Sequence, residues 1–86
     1  MLPLYLYTTL GCHLCELAEC ELSSLLARYQ VELVHVEVAD DDRLLAFYGE
    51  RIPVIRLEGH SVELGWPFDT ALAEQYLQAM LQASST

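Results

Sequence analysis

Hydrophobic positions along the 86-residue chain follow two periods, and the places where one gives way to the other mark its elements. Pro3 to Thr8 is apolar on both faces, as expected of a central strand in a sheet covered by helices on both sides. From Cys12 to about Tyr29 the residues Leu14, Ala18, Leu22, Leu25, Leu26 and Tyr29 recur at three- and four-residue steps, while Glu16, Glu19, Ser23 and Arg28 fall elsewhere. That spacing predicts an amphipathic helix. Its core stripe also carries Cys15, so the inner cysteine is expected to be sheltered and Cys12, at the first turn, exposed.

Val31 to Val38 is β-branched and apolar with charge near both ends, which suits a strand nearer the sheet edge. With the first strand and the helix between them it makes a right-handed parallel βαβ unit. Asp40-Asp41-Asp42 supplies an N-cap and a negative first turn, Leu44, Leu45, Phe47 and Tyr48 an apolar face, and Gly49 the stop of a short second helix. Arg51 to Leu57 reads as a strand opening with Pro53, where the ladder has barely begun. Glu58-Gly59-His60-Ser61 is a turn signal and Val62-Glu63-Leu64 a short partner strand, predicting an antiparallel hairpin. Gly65-Trp66-Pro67 breaks it. Asp69 then caps a last helix with Leu72, Ala73, Tyr76, Leu77, Met80 and Leu81 on its apolar face, fraying into Ser84-Ser85-Thr86. The order is βαβαββα: a single α/β domain over residues 1–86 with a four-stranded mixed sheet and helices on both faces.

Composition narrows the function. With 53% hydrophobic and 20% charged residues the chain is globular, large enough for one core. Its net charge of −9, with no lysine and only Arg28, Arg43, Arg51 and Arg56 as fixed cations, makes nucleic acid and anionic membranes poor partners. The acidity itself reads as a solubility feature. Met1 to Tyr7 has no basic start and reaches threonine and glycine before a signal h-region could form, so no export signal is expected. Three cysteines are too few, and odd in number, for a secreted disulfide scaffold, which favours a chemical role in a reducing cytoplasm.

Two of those cysteines stand in Thr8-Thr9-Leu10-Gly11-Cys12-His13-Leu14-Cys15, at the junction of the first strand and first helix. Helical spacing returns the second sulfur beside the first, and a helix N-terminus favours a thiolate, so the pair suits a reversible dithiol. His13, if protonated, favours the thiolate further, while Glu16 and Glu19 on the next turn oppose it. The residues alone leave that balance open.

The chain resembles the glutaredoxin-like branch of the thioredoxin superfamily. The resemblance rests on Tyr7-Thr8-Thr9-Leu10-Gly11-Cys12-His13-Leu14-Cys15, on Ile52-Pro53-Val54 at a strand start, and on Gly65 at a turn before the last helix. It implies a thioredoxin-like fold and a thiol–disulfide oxidoreductase active in cell redox homeostasis and electron transport. Cys12 is then the attacking thiolate and Cys15 the resolving thiol, roles that exchange chemistry also requires of an accessible and a waiting sulfur. The resemblance further implies that Pro53 is cis and lies against the dithiol, and that the backbone of Ile52 pairs with the substrate main chain as an added strand. Implied partners are a disulfide-containing protein or a glutathione mixed disulfide and an external reductant. No bound cofactor and a monomeric chain are expected.

The sequence departs from the glutathione-using pattern. Thr9 occupies the position where a basic residue usually meets a glutathione carboxylate, and the cysteines enclose His-Leu where Pro-Tyr is usual. Gly65-Trp66-Pro67-Phe68-Asp69 has one glycine where the family carries two, and Pro67 removes an N–H donor. Arg51 and Asp69 are the candidate replacements for the carboxylate and amine contacts, each equally readable as a surface arginine and a helix cap. Glutathione thus stays an open co-substrate. Trp66 reads either as a substrate platform or as a lid over the core. Cys20 lies opposite the apolar stripe and is expected to be an exposed bystander, and neither His35 nor His60 has a partner at ligand spacing.

Two other readings compete. A small copper-chaperone-like domain also places a Cys-x-x-C after its first strand, but it usually carries a methionine before the first cysteine and follows the order βαββαβ, and a structural zinc site wants four ligands, for which no second Cys-x-x-C or His-x-x-x-His exists. A non-catalytic adaptor would retain the fold with its cysteines as relics.

Overall fold

On β1 (Leu2–Thr8) Leu4 and Leu6 are fully buried on one face while Tyr7 is buried on the other, so the strand has no solvent side. This is what its unbroken apolar run requires. The structure is a computed structural model describing residues 1–84. After β1 come α1 (His13–Arg28), β2 (Val31–Glu37), a 3₁₀ turn (Val38–Asp40), α2 (Asp42–Tyr48), β3 (Val54–Leu57), β4 (Leu64–Gly65) and α3 (Thr70–Ser84). The sheet order is β2-β1-β3-β4. β2 runs parallel to β1 with Leu2 opposite Val31 and Thr8 opposite Glu37, and β3 runs antiparallel to β1 and to β4. The βαβαββα order, the mixed sheet and the edge position of β2 all follow the sequence reading.

Two cores form, one on each face. Under α1 and α3, Leu4, Leu6, Val31, Ile55 and Leu57 pack against Ala18, Leu22, Leu25, Ala73 and Leu77. Under α2, Tyr7 stacks on Tyr48 at a ring separation of 4.0 Å, with Val38 and Val54 completing the cluster. The larger face is laced by polar contacts: Thr70 Oγ1 is 2.7 Å from Glu21 Oε2, and Arg28 Nη1 and Tyr29 Oη donate to Glu74 Oε2 at 2.7 and 2.5 Å.

The structure moves several expected boundaries. β2 stops at Glu37 because the Glu37 carboxylate accepts from Ala39 N–H at 3.3 Å and caps the 3₁₀ turn that buries Val38. The strand expected from Arg51 begins only at Val54: Arg51 and Ile52 N–H both donate to Tyr48 C=O, at 2.7 and 3.0 Å, and Pro53 has no N–H to give a ladder. The partner strand expected at Val62–Leu64 is displaced to Leu64–Gly65, because Val62 C=O is taken by Tyr76 Oη–H at 2.6 Å. Gly49 ends α2 in a right-handed conformation, φ −51°, where a Cβ would stand 2.5 Å from Leu45 carbonyl oxygen. Leu45 and Phe47, placed on the apolar face of α2, are exposed, as are Leu14 and Leu72 in the first turns of α1 and α3. A seven-residue helix offers the sheet only two turns, and Leu44 and Tyr48 fill them. After α1 the chain turns through Gln30 at φ 54°, a left-handed position that no glycine marks. Asp41 and Asp69 cap α2 and α3 by accepting from Leu44 and Leu72 N–H, at 3.3 and 2.8 Å. The fraying expected at Ser85 and Thr86 lies outside the described residues. Among the described residues no helix is long and apolar enough to cross a membrane.

Tyr76 ties the hairpin to α3. Its hydroxyl accepts from Leu57 N–H at 2.9 Å and donates to Val62 C=O, with Leu57 fully buried. Tyr76→Phe strands that N–H and is expected to lower the unfolding free energy by about 1–3 kcal/mol, read by denaturant titration.

Glu74 gives a pH signature. The Tyr29 hydroxyl, then the Arg28 guanidinium, hold its carboxyl below the usual 4.5. A depressed folded value means the contact stabilises above pH 4.5 and is lost as the pH falls through the depressed value. Glu74→Gln should therefore lower the denaturation midpoint at neutral pH, the gap from wild type closing on acidification below 4.5.

Candidate active site

The site is built where β1 ends. Thr9 Oγ1 donates to Glu37 Oε1 at 2.5 Å, tying the loop after β1 to the last residue of β2. The chain then turns through Gly11 at φ 78°, a conformation open to glycine at little cost, and Cys12 N–H returns to Thr9 C=O at 3.3 Å. This turn starts α1 with Cys12 as its N-cap residue. Cys12 Sγ accepts from Cys15 N–H at 3.2 Å, the position a serine or aspartate oxygen usually fills.

Cys12 and Cys15 are disulfide-bonded, their Cα atoms 5.2 Å apart. Cys15 is 4% exposed, beneath the helix, while Cys12 is half-buried and open at the surface. The sheltered inner sulfur is as expected, and the outer one is less exposed than a bare first-turn position suggested. In the reduced state the Cys15 N–H and the N-terminal end of a 16-residue helix act together on a Cys12 thiolate and favour it.

Two hollows open at the end of the sheet where β1 stops, and only the first is lined by the cysteines. The first, about 460 Å³, lies beyond the C-terminal ends of the parallel strands β1 and β2, where open α/β sheets tend to bind ligands. Cys12 and Cys15 form one wall, with Thr9, Glu16, Glu19, His35 and Glu37 around them. The second, about 490 Å³, runs along Leu14, Arg51, Ile52, Val54, Gly65 and Trp66. Ile52–Pro53 is cis, as the resemblance implied, and so is Trp66–Pro67, which the sequence reading did not foresee. Trp66 N–H donates to Pro53 C=O at 3.0 Å, and its indole packs edge-on against Phe68 at 5.2 Å.

Of the remaining candidates, Ile52, Arg51 and Trp66 line the second hollow, and Pro53, His13 and Asp69 line neither. Ile52 lines the second, its N–H already held by Tyr48 C=O. Arg51 also lines it, donating from Nε to Phe47 C=O at 3.0 Å and standing 3.8 Å from Glu63. Asp69 caps α3 and lines neither hollow. His13 is exposed and 3.7 Å from Glu16, so any positive charge it carries faces that carboxylate as well as the thiolate. Cys20 is free and exposed, as expected. The sequence reading passed over His35, which bonds to Glu19 in the wall of the first hollow, and Glu37, which holds Thr9 there. Strand parity could have found both, since they share a face of β2 with Val31 and Leu33. Among the described residues no group of three or more His, Cys, Asp or Glu is disposed to hold a metal ion.

A parallel βαβ unit followed by an antiparallel hairpin, a bonded Cys-x-x-C at the first helix and a cis-proline before the third strand define a thioredoxin-fold dithiol protein. The chain belongs to the glutaredoxin-like domain family (DUF836), whose model matches residues 3–82. It is similar to the solved structure of target protein XcR50 from X. campestris, with 35% identity, a TM-score of 0.71, and coverage of 88% of this chain and 96% of that one. It also shares its fold with the oxidized form of mitochondrial thioredoxin 3 from Saccharomyces cerevisiae: 15% identity, TM-score 0.63, covering 91% and 77% of the two chains. A malarial protein matches at 15% identity and a TM-score of 0.61, covering 87% and 96%. Comparison with curated proteins found no match.

The geometry orders the thiols. In the reduced protein at mildly acidic pH, a brief pulse of iodoacetamide followed by peptide mass analysis should label Cys12 first and Cys15 last, by about tenfold or more. Labelling of Cys15 ahead of Cys12 would reverse the assignment of outer and inner sulfur.

Proposed function

We propose that the protein is a thiol–disulfide oxidoreductase of the reducing cytoplasm. The observation that carries this reading is the bonded pair itself, one sulfur reachable from solvent and the other 4% exposed beneath it at a helix N-terminus.

In the reduced state the Cys12 thiolate attacks one sulfur of a substrate disulfide. The other substrate sulfur leaves as a thiolate and takes a proton from water, and a mixed disulfide remains on Cys12. Cys15 gives its proton to solvent and attacks Cys12 Sγ, expelling the second substrate thiolate, which is protonated in turn. Two electrons and two protons reach the substrate, and the Cys12–Cys15 disulfide is left. An external thiol or dithiol restores it by the same two exchanges in reverse. A protein disulfide and a glutathione mixed disulfide both satisfy this chemistry.

The second hollow serves as the substrate groove. Ile52 C=O accepts from the incoming main chain, Trp66 bounds the groove, Arg51 stands at its rim, and Pro53 is buried behind it, its C=O holding Trp66 N–H. His13 modulates the Cys12 thiolate only weakly, because Glu16 shares its charge. Asp69 acts by holding the start of α3.

The test is electrochemical and chemical. The Cys12/Cys15 couple should titrate as a two-electron process at about −180 to −270 mV in a glutathione redox buffer. Cys12→Ser should abolish disulfide reduction, and Cys15→Ser should accumulate a mixed disulfide on Cys12 visible as an adduct by intact mass. Absence of a titratable couple would favour the adaptor reading, and stoichiometric metal retained by the reduced dithiol the metal-binding one.

A further inference from the structure

We infer that the disulfide this site reduces belongs to a polypeptide carrying arginine or lysine next to its cystine, and that glutathione disulfide is a poor substrate. The inference rests on the oxidoreductase reading and names its substrate class. The hollow walled by the dithiol carries three carboxylates, Glu16, Glu19 and Glu37, and the hollow that Leu14 and Ile52 line carries two more, Glu50 and Glu63. A single guanidinium faces them, Arg51, and it is engaged by Phe47 C=O and by Glu63. His13 and His35, the imidazoles at the site, each face a glutamate, so protonation of either offsets a carboxylate without creating a cationic patch. An incoming group that reaches Cys12 from either side therefore meets negative potential, within a chain whose net charge is already −9.

The apolar surface supplies the second half of the argument. Leu10 is 92% exposed between Thr9 and Gly11, and Leu14 and Leu17, 44% and 40% exposed, stand three residues apart on one face of α1. Leu10 lines the hollow walled by the dithiol, and Leu14 and Trp66 line the other, so each hollow holds apolar side chains together with its carboxylates. Exposed leucines and an indole among charged groups suit contact with a polypeptide surface. Glutathione disulfide is small, carries two net negative charges at neutral pH and has no large apolar group to cover these leucines. A cystine-bearing loop with basic neighbours satisfies both the carboxylates and the exposed leucines.

Four substrates test this against the reduced wild-type protein: three cystine peptides identical except for Arg, Gln or Glu beside the cystine, and glutathione disulfide. At about 20 mM ionic strength the Arg peptide should be reduced about tenfold faster than the Gln peptide, and the Glu peptide and glutathione disulfide more slowly than either. At about 0.5 M salt the differences should contract to about twofold. The double variant Glu16→Lys/Glu50→Lys should reverse the Arg-to-Glu preference, and normalising on the Gln peptide removes any change in Cys12 reactivity that the new charges cause. Equal rates for the three peptides, a preference unmoved by the double variant, or glutathione disulfide as the fastest substrate would each overturn the inference while leaving the oxidoreductase reading intact. Failure to reduce the Gln peptide at all would overturn both.

Discussion

Everything chemical in this molecule depends on where α1 starts. A sulfur stands at the N-cap, where an oxygen ordinarily satisfies one of the orphan N–H groups of the first turn. A disulfide sulfur is a weak acceptor for that N–H and a thiolate is a strong one, so the hydrogen bond that finishes the helix is strongest when Cys12 is a thiolate. The helix start and the position of the outer sulfur are one structural problem, and the left-handed turn at Gly11 solves it by delivering Cys12 to the cap. Glu16 and Glu19 work against the thiolate from the next turn. Glu16 is mostly in water and screened, and Glu19 is bound to His35.

The two faces of the sheet divide the labour. The face under α1 and α3 is nearly all aliphatic and fixes the axis of α1 through Ala18, Leu22 and Leu25, which places Cys15 at the top of the same buried stripe. The face under α2 is smaller and partly polar: Tyr48 packs on Tyr7 and donates to Glu63, while Tyr7 Oη accepts from Arg56 Nε at 3.2 Å. Burial and the Glu63 hydrogen bond push the Tyr48 hydroxyl far above its ordinary value, so it stays a donor throughout the physiological range. That contact holds Glu63 at the edge of the groove, beside Arg51. A tyrosine of the second core thus sets part of the charge lining the second hollow.

Much of this was readable from residues alone. The order of elements, the burial of Cys15, the caps Asp41 and Asp69 and the exposed Cys20 each follow from periodicity or from one residue type with one physical job. The boundaries that moved share another cause. Val62, Arg51 and Ile52 have strand-like surroundings in sequence, but their backbone groups are claimed by Tyr76 and by the end of α2, contacts made across 14 residues or by a helix terminus whose stopping point is itself tertiary. Gln30 in a left-handed turn and cis Trp66–Pro67 carry no local mark that would separate them from their ordinary forms. The leucines misplaced in the core, Leu14 and Leu72, sit in first turns, where helical periodicity continues but the neighbouring element does not reach.

The site's own electrostatics were the least legible part, because they depend on sheet register. In the parallel pairing Leu6 faces His35 and Thr8 faces Glu37, so these two polar residues of β2 emerge on the α1 side beyond the point where Val31 is buried and Leu33 packs against the same core. Side chains alternate along a strand, and a slip of one residue would bury Val34 and Val36 there and turn His35 and Glu37 to the α2 side. Thr9 would lose the carboxylate that positions the loop before Gly11, and Glu19 its imidazole partner. The packing of two aliphatic residues at the start of β2 therefore decides the charge at its end, in the hollow that Cys12 and Cys15 wall. Hydrophobic burial selects the register, and the register selects the charge beside the sulfurs.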